Sequence, residues 1–310
     1  MDISEIIKTY KPNVKENTIK QYVIQLNRLK NLFNTDNFDF IKDFDAVENI
    51  ISEKHFTTRR NFYNSIIVLL QALDEDSKII KKYIDARDKL NDQYKESQSE
   101  TISEKQKNNF ASMDEFNKML ETMEKEIRVN KIKTKGDLNG KEKQLLMMYT
   151  IFTMLRYIPT RNDIAGMIIT TPKNYPKMDK EHNYLVVGRA DMYYMLNDYK
   201  TDKTYGKDKR IDVTPQKLVS TLRSYIRAMG KKTNDVLFTT STGNPISRNV
   251  LSQMLMKTSK KYMDKSVSTN MMRKLVVSHE LGEFKKKQEE LADKMQHSVS
   301  TQNEVYIKEQ

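Results

Sequence analysis

Five side chains in the C-terminal two-thirds of the sequence are of types that can bind an anion or act as a nucleophile. Arg161 opens an amphipathic stretch, and a cation at a helix start is disfavoured by the helix dipole unless an anion binds there. Lys200 ends a predicted strand, and Arg273 stands at the start of an apolar helix. His297 and Tyr306 are nine residues apart near the C-terminus. Each of these residues alone also fits a surface or packing role, so their meaning depends on their order and spacing.

The elements that must position these residues differ between the two parts of the chain. In the first hundred residues apolar side chains recur at three- and four-residue spacing, which predicts a small helical bundle with helices near 17–32, 40–51, 57–73 and 79–90. Residues 93–110 are polar and nearly free of large apolar groups, as is typical of a linker. We therefore expect a helical domain over 1–95, a linker over 96–110 and a second domain over 111–310.

The second domain mixes helical and strand patterns. Residues 145–155 are apolar on nearly every face, which predicts a buried helix. Short β-type runs follow at 184–187, 192–199 and 210–213, and they predict a small antiparallel sheet with a hairpin. Helices are expected again after Pro215 and at 249–262, 271–281 and 284–295. The fold class is therefore mainly α with a small antiparallel β-sheet.

Charge and composition restrict the possible functions. The 310 residues include 54 Lys and Arg against 42 Asp and Glu, a net charge of +12. Residues 1–100 carry 16 basic and 17 acidic side chains, so the whole excess lies beyond them. Such an excess favours a polyanionic partner, with nucleic acid first and a membrane surface second. The alternative is that the many lysines only keep the chain soluble and bind no polyanion.

Other classes of protein are disfavoured. The absence of cysteine excludes disulfide scaffolds, Cys-based zinc sites and thiol catalysis, and the four histidines are not closely paired. No apolar run approaches the ~18 residues of a membrane span. The first ten residues lack a signal-peptide pattern, so we expect an intracellular protein of the cytoplasm or nucleus.

The candidate residues form an ordered series. Along the chain stand Arg161, Lys200, the run Asn270-Met271-Met272-Arg273, the pair Gln296-His297, and Tyr306. Arg273 and His297 are 24 residues apart. This series resembles the motif of the tyrosine recombinases, the family of phage and viral integrases and related site-specific recombinases. The resemblance runs from about Lys15 to Tyr306 and includes the strand–turn at 199–206 and the Gly-Asn-Pro-Ile-Ser segment before Arg248.

The resemblance implies a fold, a reaction and partners. The fold would be a helical core-binding domain that clamps DNA, followed by an α+β catalytic domain. Double-stranded DNA would be cut and rejoined through a 3′-phosphotyrosine, without metal, cofactor or ATP, by a homo-tetramer in a synaptic complex and away from membranes. The surroundings of Arg161 are most similar to integrases of viruses and mobile elements, so the protein would be virus- or element-encoded.

The resemblance also assigns a role to each residue. Tyr306 would be the nucleophile, and Arg161 and Arg273 would hold the non-bridging phosphate oxygens, which a planar guanidinium suits. Lys200 would protonate the leaving 5′ oxygen. His297 would hydrogen-bond a phosphate oxygen, and Asn270 would assist where the family has histidine.

Several positions depart from the family pattern. Asn270 can hydrogen-bond a phosphate but cannot exchange a proton near neutral pH. Ile164 occupies the usual acidic position, with Asp163 one residue earlier, and Gln296 replaces a glycine. Arg156 is a rival for the first arginine, but Pro159 would break the helix that this position normally opens, so Arg161 is preferred. Lys203 is the rival to Lys200.

Three other functions stay open. A type IB topoisomerase would share the site and would relax DNA without a defined target. A catalytically impaired DNA-binding relative would keep the fold, and Asn270 is its best support. A basic helical protein without a nucleic-acid role would leave the ordered motif unexplained.

Overall fold

The computed structural model describes residues 2–97 and 110–306. The chain divides into two compact units, Met1–Ile102 and Ser103–Gln310. The dividing point falls inside the predicted linker at 96–110, of which positions 98–109 lie outside the described residues. Each unit is therefore described by itself.

The first unit is helical throughout its described part. Its apolar residues at three- and four-residue spacing bury a common core that includes Ile7, Leu26, Ile66 and Tyr83. The Tyr83 hydroxyl donates to the carbonyl of Ile41 at 2.9 Å, so this buried phenol is hydrogen-bonded. The helices are α1 (Ile3–Tyr10), α2 (Glu16–Phe33), α3 (Phe44–Ile51), α4 (Phe56–Ala72) and α5 (Ser77–Ser97), with a 3-10 turn at Asp39–Lys42.

The second unit is built around one buried helix. Its longer helices are α6 (Met113–Val129), α7 (Gly140–Tyr157), α8 (Gln216–Ala228), α9 (Arg248–Met263) and α10 (Thr269–Lys294). Every residue of α7 from Leu146 to Leu155 is buried, which agrees with its apolar pattern on all faces. Asn139 begins α7 with a capping box, in which its side chain accepts from the Glu142 N–H.

The sheet of the second unit has four strands in the order β1-β2-β3-β4. They are β1 (Ile168–Thr170), β2 (Tyr184–Val187), β3 (Met192–Leu196) and β4 (Lys209–Asp212). The three predicted strands pair antiparallel, but β1 pairs parallel with β2, so the sheet is mixed rather than antiparallel. Side chains alternate between the two faces: Tyr194 joins the main core, whereas Tyr193 joins a smaller cluster.

Three elements differ from the sequence prediction. The helix α5 continues to Ser97, so residues 93–97, whose polar composition is typical of a linker, are helical, and the first two positions of the predicted linker at 96–110 belong to α5. The stretch after Arg161 forms only a 3-10 turn at Asn162–Ile164, because Gly166 adopts a left-handed φ of 68° and redirects the chain into β1. The two helices predicted at 271–281 and 284–295 are one continuous helix, α10, which runs through Gly282. A short helical segment at Val299–Thr301 and a single π-helical turn at Gln302–Tyr306 follow it.

The described residues include neither a membrane-spanning helix nor a cluster of metal-binding side chains. None of their helices is long and apolar enough to cross a membrane. Across residues 2–97 and 110–306, no group of three or more His, Asp or Glu side chains is placed to hold a metal ion.

Candidate functional site

Three of the predicted site residues line one pocket in the second unit. Arg161, Asn270 and Arg273 lie around a surface cavity of about 260 Å³. The remaining lining residues carry hydroxyl or amide groups: Asn162, Ser252, Ser268 and Thr269. None of these described lining residues is a carboxylate, so the wall consists of cations and neutral polar groups. The cavity volume is slightly below the roughly 300–1,000 Å³ typical of pockets for drug-sized ligands.

Arg161 is placed by the end of α7. The helix stops at Tyr157, because the residue before Pro159 is driven out of the helical region. The Thr160 N–H then donates to the Ile158 carbonyl at 2.7 Å, which makes a tight turn. Arg161 follows this turn in extended backbone and precedes the 3-10 turn, so its side chain begins at the pocket rim.

Asn162 connects the Arg161 loop to two helices. Its amide nitrogen donates to the Arg248 carbonyl at 3.0 Å and to the Ser252 hydroxyl at 2.8 Å, both in α9. Its amide oxygen accepts from the Thr269 hydroxyl at the start of α10. These partners are 86 to 107 residues away in sequence, so one side chain holds together the three segments that form the pocket.

The first turn of α10 supplies the other wall. The Ser268 hydroxyl accepts from the Met271 N–H and caps the helix. Asn270 and Arg273 are three residues apart, so they lie on one face of the first turns, where the helix dipole also favours an anion. Arg273 Nε donates to the Pro159 carbonyl at 3.1 Å, which orients the guanidinium beside the Arg161 loop.

A buried carboxyl lies next to this pocket. Asp163 is 7% exposed, and burial raises its pKa, while the positive charges of Arg248 and Arg161 act in the opposite direction. Arg248 approaches it at 3.5 Å. Asp163 therefore faces α9, where the positive charge of Arg248 partly compensates the charge of its carboxylate.

Lys200 lies in the connection between β3 and β4. The Tyr199 hydroxyl donates to the Gly206 carbonyl at 2.6 Å. The Asp208 N–H donates to the Asn197 side chain at 2.9 Å. These two hydrogen bonds join the beginning of the connection to its end. Lys200 and its rival Lys203 are both exposed and do not line the cavity.

Lys200 is nevertheless joined to the pocket region through its neighbours. Arg248 contacts both Asp198 and Asp163. Asp198 is two residues before Lys200, which is at most about 7 Å of backbone.

His297 is remote from the pocket. Its backbone N–H donates to the Ala292 carbonyl at 3.1 Å. Ala292 is 19 residues after Arg273 on the same helix, or ~28 Å at 1.5 Å per residue. The segment that leads to Tyr306 lies on the same part of α10, because Gln288 donates to the Asn303 side chain at 2.6 Å.

The rival first arginine is engaged elsewhere. Arg156, in the last turn of α7, pairs with Glu280 of α10 at 3.2 Å. It is not among the described residues that line the pocket, whereas Arg161 is.

Sequence reasoning missed several residues of the site. Asn162, Ser252 and Arg248 were not singled out, because their roles arise from contacts between distant segments. Ser268 carries a sequence signal, since a serine before an apolar helical run is a common N-cap.

The fold and the pocket together define a class: a two-unit protein, mainly helical, with a cationic cavity at the meeting of a loop and two helices. No protein-family model matches the sequence. No curated protein matches it either. In structure the chain is similar to a recombinase and to an integrase.

The first of these is the XerA recombinase, with 15% identity and a TM-score of 0.37 over 90% of this chain and 83% of that chain. The second is the Tn1549 transposon integrase in complex with transposon right-end DNA, with 13% identity and a TM-score of 0.43 over 100% of this chain and 96% of that chain. Similarity of this extent assigns no activity, so function is inferred from the residues of the site.

Proposed function

We propose that the chain is a site-specific DNA recombinase or integrase of the tyrosine recombinase type. The proposal rests mainly on the pocket. It is lined by Arg161 from one segment and by Asn270 and Arg273 from another, although these segments are more than a hundred residues apart in sequence. The cavity is lined by two arginines and by the start of a helix, and none of its described lining residues is a carboxylate. Such a lining is suited to binding one phosphodiester. The excess of positive charge beyond residue 100 supports a polyanionic ligand.

The proposed chemistry uses these groups in sequence. The Tyr306 phenol gives its proton to solvent as Oη attacks the scissile phosphorus, the bond to the 5′ oxygen breaks, and a 3′-phosphotyrosine forms. Arg161 and Arg273 stabilise the charge that develops on the non-bridging oxygens. Lys200 gives its proton to the leaving 5′ oxygen, and attack by a 5′-hydroxyl later reverses the step.

The remaining two residues would contact the phosphate. His297 and Asn270 would hydrogen-bond its oxygens. Because His297 lies ~28 Å along α10 from Arg273, cutting requires a rearranged α10 or a second copy of the chain. In this proposal copies assemble as a tetramer on double-stranded DNA.

The first experiment asks whether a covalent adduct forms. A pool of nicked duplexes with randomised flanks is incubated with the full chain, and denaturant-resistant protein–DNA adducts are recovered and sequenced. We expect an adduct that Tyr306→Phe abolishes. An adduct that persists in Tyr306→Phe would refute the nucleophile, and its absence from the wild-type chain would refute cleavage.

The second experiment tests the pocket with a matched pair of variants. Arg273→Ala should lower the rate of adduct formation by about 10²–10³-fold, the usual cost of removing one oxyanion donor, while most of the DNA affinity remains. Lys274→Ala removes the same charge from an exposed neighbouring position and should leave the rate nearly unchanged. Equal effects of the two variants would mean that only net charge matters.

A DNA-binding relative that does not cut is the second candidate. The separation of His297 from Arg273, together with asparagine at position 270, favours it. It predicts salt-dependent DNA binding that Arg273→Ala weakens, with no adduct from the wild-type chain under any assembly condition.

A further inference from the structure

Arg248 occupies a position that is unfavourable for a cation unless something else holds it. It is the first residue of α9, immediately after the cap Ser247, where the helix dipole disfavours positive charge. Its guanidinium compensates by binding oxygen atoms. One terminal nitrogen lies 2.7 Å from the Asp198 carbonyl, 3.1 Å from the Asp198 carboxylate and 3.5 Å from the Asp163 carboxylate.

The two aspartates belong to the two segments that the proposed reaction must align. Asp163 follows Arg161 by two residues, and Asp198 precedes Lys200 by two residues. Arg248 therefore bridges the loop of the first arginine and the connection that carries the lysine.

Both segments are also held by contacts other than this bridge. The Arg161 loop is also fixed by Asn162, which binds α9 and α10. The connection between β3 and β4 is also anchored by Tyr199, which precedes Lys200 and is 4% exposed in the main core of the second unit. It is held to the Arg161 loop by Arg248 and by the Asn183 side chain, which donates to the Asp163 and Asp198 carbonyls at 2.8 Å each. Loss of Arg248 should therefore loosen the placement of Asp198, two residues before Lys200, while Tyr199 and Asn183 keep the connection folded.

We propose that Arg248 is a positioning residue that sets the place of Lys200 relative to Arg161. The inference rests on the proposed function, because it gives Arg248 a task in the same proton transfer. Arg248 is not among the described residues that line the pocket, and in this proposal it acts through Asp198.

A sulfur substrate separates this role from a general structural one. When the bridging 5′ oxygen of the scissile phosphate is replaced by sulfur, the bond from phosphorus to sulfur breaks and the group leaves as a thiolate. A thiol has a pKa of about 8.5, against about 15.7 for water, so sulfur leaves without a proton from Lys200. A defect confined to proton transfer therefore disappears with this substrate.

The experiment compares four full-length chains on duplexes selected by adduct formation, made with 5′ oxygen or with 5′ sulfur. Lys200→Ala defines the pattern of a lost acid. Arg248→Met should slow adduct formation on oxygen DNA by about 10²-fold, as misplaced catalytic groups do, and should recover most of the loss on sulfur DNA. Arg223→Met is the control, because this exposed arginine binds the Gly188 and Arg189 carbonyls in another part of the unit. It should match the wild type on both DNAs.

The outcomes separate the inference from the proposal beneath it. No adduct from the wild-type chain on either DNA overturns both. An active wild type with an Arg248→Met chain that is unimpaired, or equally impaired on both DNAs, overturns only the role of Arg248. Arg248→Lys is measured in parallel, so that a variant that keeps the charge gives the answer if Arg248→Met unfolds. It should show the same pattern with a smaller loss.

Discussion

Asn183 offers a test of how the site is held together. This side chain is 5% exposed and makes four hydrogen bonds. Its amide nitrogen donates to the carbonyls of Asp163 and Asp198, and its oxygen accepts from the N–H groups of Asn197 and Asp198 at 2.8 and 2.9 Å. Replacing the amide by an isosteric carboxyl, Asn183→Asp, keeps the two accepted bonds but changes the two donated ones.

The loss in free energy of unfolding caused by Asn183→Asp should depend on pH. A protonated carboxyl donates one of the two lost bonds, so near pH 4 we expect a loss of about 1–3 kcal/mol from one unsatisfied carbonyl. An ionised carboxylate would face two carbonyl oxygens, so the folded pKa of the new group is raised above the unfolded value of about 3.9.

The sign of the pH dependence follows from that shift. A group whose folded pKa is raised binds its proton more tightly in the native state, so stability is lost as the pH rises above the unfolded pKa. The penalty should grow by about 1.4 kcal/mol per pH unit until the pH reaches the folded pKa. By pH 7 the increase is at most about 4 kcal/mol.

Urea unfolding at several pH values between 4 and 7, followed by circular dichroism, gives the difference from the wild type. Hydrogen exchange of β2 and β3 assigns the change to the second unit. Asn249→Asp is the matched control: it adds the same group at an exposed position in the first turn of α9. Because the helix dipole favours an anion there, Asn249→Asp should become more stable by at most about 1 kcal/mol as the new carboxyl ionises, the opposite sign to Asn183→Asp. A penalty for Asn183→Asp that is equal at pH 4 and pH 7 would refute the reasoning.

Three further predictions concern single interactions. The hydrogen bond from His182 is the largest of the effects that lower the pKa of Asp179 to about 2. Its stabilising contribution is therefore complete above the unfolded pKa of about 3.9 and is lost as the pH falls from there through the folded pKa. An NMR titration should show the midpoint near 2, and His182→Ala should move it upward. Ser112→Ala removes the cap of α6 and should cost about 1 kcal/mol, whereas Ser112→Thr keeps it; calorimetry that ranks the two equally would exclude a capping role. Arg161→Ala should reduce the slope of log affinity against log salt for duplex DNA by about 1, and an unchanged slope in fluorescence anisotropy would argue against a phosphate contact.

Local signals in the sequence were sufficient for most of the elements. Apolar periodicity predicts the helices of the first unit and the buried α7, because side-chain burial there repeats along one segment. Pro159 correctly marks the end of α7, since its effect is confined to its neighbours. The three longer strands are likewise recognisable from their β-branched and aromatic residues.

Contacts between distant segments could not be read in this way. β1 has only three residues, and its parallel pairing with β2 depends on a connection whose path no local pattern specifies. The continuity of α10 through Gly282 was missed, because an interior glycine weakens a helix without ending it.

The same limit applies to the site. The motif residues could be picked out by order, but Asn162 and Arg248 act across 50 to 107 residues of sequence and became visible only in three dimensions.

Under the proposed function, the continuous α10 has a consequence for the timing of DNA cutting. It holds Arg273 at one end and the turn of His297 at the other, ~28 Å apart along the helix. In this arrangement a single copy can bind a DNA phosphate at Arg273 while His297 is too far away to contact the same phosphate. Under the proposed function such a copy is latent. Binding and cutting become separate events, and the second awaits a bend in α10 or the arrival of another copy.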